Sequence, residues 1–124
     1  MTIGKALRLS QLSPARQGLV RLCQTINHGS IEDLEIRHSE PVLEPLPVML
    51  KDVKLDADEQ PRPEFALVDF VLADQVCRLL SLLDKMESGT IRHIEVRAGI
   101  PRRVRVESQG FRAGDLWRQG KPSV

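Results

Sequence analysis

At 124 residues the chain is long enough for one domain with a real core, and no segment of it approaches the length of a membrane span. Its 41% hydrophobic and 28% charged content is that of a soluble globular protein rather than a disordered or fibrous one. Net charge is only +1, and 3% aromatic content with no Tyr disfavours nucleic-acid binding that stacks bases on rings.

From the N-terminus, Ala6-Leu7-Arg8-Leu9 alternates briefly and reads as an edge strand or an ordered arm. Nothing before it has the apolar core of a signal peptide, so a cytoplasmic, reduced protein is expected. Ser13-Pro14 reads as a helix start, because serine caps free amides and proline loses nothing at the first helical position. Leu19, Leu22, Cys23 and Ile26 then fall on one helical face, predicting a helix from Pro14 to Asn27. Gly29 is placed just past its end, where a left-handed residue is wanted.

After Gly29 the period changes to two. Leu34 and Ile36 alternate with Glu35 and Arg37 as in a half-buried strand, although Ser30 to Asp33 also fits a capping box opening a helix. Pro41, Pro45 and Pro47 cannot donate to a sheet ladder, so the first hairpin is expected to turn through a long arch over Val42 to Pro47. Its return strand is predicted over Val48 to Leu55. Residues 56–64 are charged and proline-bearing, and are expected to form a mobile connection.

Asp69 is expected to cap a second helix running through Leu72, Val76, Leu79, Leu80, Leu83 and Met86 to Gly89. Ile94-Glu-Val-Arg97, a turn at Ala98-Gly99 and Val104-Arg-Val106 make a tight hairpin. The remaining residues 108–124 form a C-terminal tail in which Phe111, Leu116 and Trp117 are candidate partner-docking residues.

The two halves echo each other at an offset of sixty. Gly29/Gly89, Ile31/Ile91, Glu35/Glu95, Arg37/Arg97 and Pro41/Pro101 are identical, and the apolar helix positions match in character. Such self-similarity predicts one structural unit used twice. The second copy's hairpin therefore favours a strand over a helix for Ser30 to Asp33. The expected fold is a single α+β domain over 1–124, built from helix–hairpin units at 14–55 and 69–107 in the order αββαββ. Two helices would pack on one face of an antiparallel sheet, with Leu34, Ile36, Val53, Leu55, Ile94, Val96, Val104 and Val106 turned toward them. Glu35/Arg37 and Glu95/Arg97 would form cross-strand ion pairs on the opposite face.

Function is far less legible. There is no phosphate-cradling glycine loop, no Gly-x-Ser-x-Gly, no His-Glu-x-x-His and no paired CxxC. Cys23 and Cys77 lie among apolar helix residues and read as small buried hydrophobes. His28, His38 and His93 are scattered, with only a His38–His93 approach across the sheet as a conceivable metal site, so no metal or cofactor is expected. Charge is uneven: residues 31–69 hold eleven acids against four bases, and residues 92–124 hold eight bases against three acids. The leading expectation is a non-enzymatic interaction module that self-associates or binds another protein, with no membrane partner. The alternative is nucleic-acid binding through a basic second hairpin, with Arg97, Arg102, Arg103, Arg105 and Arg112 as the anion contacts. A small-molecule site between the halves is a third possibility.

Overall fold

Helix α1 spans Pro14–Ile26, and its start is the predicted one: Ser13 Oγ accepts from the Arg16 amide at 3.2 Å, with Pro14 in the first turn. In this computed structural model residues 6–58, 60 and 63–107 are described. The helix ends at Asn27 rather than at a glycine. Asn27 takes φ 62° and donates its amide to the Cys23 carbonyl, leaving Gly29 inside the following strand. There Gly29 answers a different need. A Cβ on it would sit 2.0 Å from the carbonyl oxygen of Leu50 on the neighbouring strand.

Strand β1 spans His28–Arg37 and turns through His38-Ser39 into the short β2, Glu40–Pro41. His38 and Ser39 have φ of 55° and 63°, the paired left-handed geometry of a two-residue hairpin. The first hairpin turn is thus as tight as the second, contrary to the sequence reading, and the proline arch comes after Pro41. Beyond the arch, β3 covers only Val48–Lys51 and returns to the other end of β1, with Ser30 opposite Leu50 and Glu32 opposite Val48. The Asp52 amide makes the last bond of this ladder, to His28 O. Val53 and Leu55, expected in the core, lie past it and are 65% and 96% exposed.

Helix α2 spans Asp74–Met86 and is capped by Ala73 with no side-chain bond, not by Asp69. Asp69 reaches back to the N-terminal segment, accepting from Arg8 Nε at 2.9 Å and from the Ser10 amide at 2.8 Å. That segment lies beside Phe70–Leu72 through a single antiparallel bridge between Arg8 and Val71. Strand β4 covers Gly89–Arg97. It turns at Ala98-Gly99, φ 55° and 75°, into β5, Ile100–Val106.

The strands form one antiparallel sheet in the order β2–β1–β4–β5, with β3 on the same side of β1 as β2. β1 and β4 make the central pair, in which Ile31 faces Ile94 and Leu34 faces Ile91. These four residues, with Ile36 and Val96, are buried together with Leu19, Cys23 and Ile26 of α1 and Val76, Leu80, Leu83 and Met86 of α2. The aliphatic core therefore lies between the helices and one sheet face. Val104 and Val106 are half-buried at its margin. Among the described residues no helix is long and apolar enough to cross a membrane. The predicted connection over 56–64 lies partly outside the described residues.

Candidate interaction surfaces

Register places side chains of β3, β1, β4 and β5 on the sheet face turned away from the helices. Leu50, Ser30, Glu95 and Arg103 lie in one line across it, and Val48, Glu32, His93 and Arg105 in the next. The face thus runs from aliphatic through acidic to basic, and its middle is internally satisfied. Glu32 accepts from Ser30 Oγ at 2.6 Å and sits 2.8 Å from His93 Nδ1. His93 therefore faces a carboxylate, not His38, and among the described residues no three His, Cys, Asp or Glu side chains converge as a metal centre.

The candidate anion contacts divide. Arg97 Nε lies 2.8 Å from Glu95, and Arg103 Nε lies 3.8 Å from the other oxygen of the same carboxylate. The Arg97 hydrogen bond, aided by the charge of Arg103, holds the Glu95 carboxyl below its ordinary range. The Arg97–Glu95 and Arg37–Glu35 pairs each run along one strand at i, i+2, not across strands as expected. Arg102 occupies a bulge in β5 and donates Nε to the Arg97 carbonyl at 3.3 Å. Arg105 is exposed and has no ion-pair partner among the described residues. Arg112 and the docking candidates Phe111, Leu116 and Trp117 lie outside the described residues.

Arg8, Arg16 and Arg21, the described arginines of the first thirty residues, are committed to structure. Arg21 donates to the carbonyls of Glu64, Phe65, Leu67 and Val68, bonds Gln24 Oε1 at 2.8 Å, and stacks 5.3 Å from the Phe70 ring centre. Arg16 joins α1 to the first turn and to α2, bonding Ser39 O and Asp84. Cys23 is buried, which pushes its thiol up to about 12 and keeps it protonated. Cys77 is half-buried and shifted the same way, by desolvation and then by Asp74.

Two surfaces escaped the sequence reading. The first is the open edge of β3. Val48 is 61% and Leu50 54% exposed, with Leu46, Val53 and Leu55 exposed beside them. The signal is present in Leu46-Pro-Val-Met-Leu50, an apolar run without polar alternation, which the sequence reading divides between the arch and the return strand. The second is a cavity of about 210 Å³ between α2 and β5. No family model, curated protein or solved structure matches this chain.

Proposed function

We propose that this chain is a non-enzymatic interaction module that self-associates through the edge of β3. The observation that carries the reading is the contrast between the two edges of the sheet. The β5 edge is defended in the usual way, by a bulge at Arg102 and charged side chains at Arg103 and Arg105. The β3 edge offers Val48-Met-Leu50 with its outer backbone groups unpaired among the described residues. Such a strand is a template for another strand. A second copy is the natural occupant, because two antiparallel β3 strands bring identical uncharged centres together and merge two sheets into one. A cytoplasmic setting with both cysteines reduced belongs to this reading.

Light scattering across micromolar concentrations tests it. The native chain is expected as a dimer and Leu50→Glu as a folded monomer. A native monomer at every concentration would overturn the proposal.

We also infer that 14–55 and 69–107 are two copies of one helix–hairpin unit. Support comes from helices of 13 residues each, sixty positions apart, ending at Asn27 and Glu87 with φ of 62° and 60°. The turn residues His38-Ser39 and Ala98-Gly99 share their left-handed conformations at the same offset.

Nucleic-acid contact through the second hairpin stays as the alternative, because Arg102 and Arg105 hold no carboxylate among the described residues. It predicts duplex binding that weakens steeply with salt. Absence of a mobility shift at low salt would exclude it.

A further inference from the structure

Among the described residues the cavity between α2 and β5 is open, whereas the place matching it sixty residues earlier is filled. On α2, Arg78, Leu79 and Leu82 lie on one helical face and look across at Pro101–Val104 of β5. Leu79, Leu82, Pro101 and Val104 give the cavity an apolar floor, and Arg78, Arg102 and Arg103 give it a cationic rim. Among the described residues no acidic one lines it.

In the first unit the matching positions are Gly18, Leu19, Leu22 and Pro41 to Glu44. Here the proline arch turns inward. A Cβ on Gly18 would lie 2.8 Å from Leu43 Cδ1, so the Leu43 side chain occupies the space above the helix. Leu43 and Leu22 both pack against the core. The first groove is therefore closed by an aliphatic side chain from an extended segment, and that segment carries Glu40 and Glu44 on either side of it. In the second unit Arg78 stands in place of Gly18 and Arg103 in place of Leu43. The apolar floor is kept, but among the described residues no side chain plugs it, and the rim is positive.

We propose that the α2–β5 groove binds a short extended segment of a partner protein, one that sets an aliphatic side chain on this floor with carboxylates beside it. Charge selects the acidic partner. Arg78 makes no hydrogen bond or ion pair with any described residue, and Arg102 uses only Nε, on the Arg97 carbonyl. Their remaining guanidinium donors suit carboxylate oxygens. The shape argument rests on the correspondence of the two units. It does not depend on association through β3.

The test uses the full chain and the hexapeptide acetyl-Glu-Pro-Val-Leu-Glu-Pro-amide, which copies residues 40–45. Titration is followed by amide NMR. Saturable shifts are expected at Arg78, Leu82 and Val104. Replacing both glutamates of the peptide by lysine, or its leucine by alanine, should weaken binding about tenfold or more. Arg78→Gln with Arg102→Gln should weaken it by a similar factor while leaving the rest of the spectrum in place, since both side chains are exposed. Leu50→Glu, which addresses the β3 edge, should bind the peptide as the native chain does. The proposal is overturned by an absence of groove shifts at millimolar peptide. Equal binding of the acidic and lysine peptides would overturn it too.

Discussion

Gly99 donates its backbone N–H to the carbonyl oxygen of Asn27 at 2.8 Å, fastening the second hairpin turn to the residue that ends α1. The amide of Ser39 meets the carbonyl of Glu87 at the same distance, so the first turn is fastened to the end of α2. Each bond depends on a residue with positive φ on both sides, a helix cap and a hairpin turn. Asn27 is nearly fully buried, and its Nδ2 also donates to Gln60 O at 3.2 Å. These crossed bonds give the left-handed positions a purpose that neither helix capping nor turn chemistry explains alone.

The second turn leaves room for improvement. Ala98 holds φ 55°, which costs an ordinary L-residue about 1–2 kcal/mol, whereas asparagine tolerates that region. Ala98→Asn should stabilise the chain by about 0.5–1 kcal/mol, since Asn-Gly is the favoured pair for this turn. Gly99→Ala, at φ 75°, should destabilise it by about 1 kcal/mol. Urea denaturation curves with unchanged slope would report both. A destabilised Ala98→Asn would show that the turn does not set the local strain.

Gly29 makes a sharper case. Any Cβ there meets the Leu50 carbonyl, a backbone atom that cannot swing aside. Gly29→Ala should destabilise by about 2–4 kcal/mol and loosen β3 before the rest of the sheet. Amide exchange would then accelerate at Leu50 and Asp52 while Ile94 and Val96 stay protected.

Both helices and the central strands were legible because local signals carried them: apolar residues on one helical face, and Leu34/Ile36 and Ile94/Val96 at period two. What stayed hidden depended on distant groups. Asp69 looks like a cap to its own neighbours, and only folding brings Arg8 and Ser10 to it. Val53 and Leu55 continue an alternation on paper, but the ladder stops at Asp52. Glu95 gathers Arg97 through simple alternation and Arg103 only through a register that a bulge shifts. The groove between α2 and β5 becomes apparent only once Leu43 is seen against Gly18.

Arg21 illustrates the same limit from the side of charge. It reads as one basic residue among several, yet four backbone carbonyls between Glu64 and Val68, in and just after a 3-10 turn at Pro63–Ala66, accept from it. Removing it takes the shared donor from those carbonyls, three of which are exposed, and uncovers Phe70. Arg21→Ala should cost about 2–3 kcal/mol, and Arg21→Lys should recover little, because a single ammonium cannot replace the planar fork. Loss of protection in residues 64–72 by hydrogen exchange would locate the damage. Full rescue by lysine would mean that charge alone matters there.

The Asp69 carboxyl is lowered to about 2, first by the Arg8 hydrogen bond and then by the Ser10 amide. Its folded value lies below its unfolded one, so the ionised form favours the folded state. That stabilisation is fully present above the unfolded carboxylate range, near pH 4, and is lost as pH falls toward the folded value. Asp69→Asn should therefore melt below the native chain at neutral pH, with the gap narrowing from about pH 4 downward and closing near pH 2. The Asp69 side chain is half-buried and still reached by solvent, so the gap should also shrink in high salt. Arg8→Gln should reproduce part of the loss, because it removes the leading partner and keeps the Ser10 bonds. A melting difference that stays constant from pH 7 to pH 2 would show that Asp69 holds the N-terminal segment by shape and not by its charge.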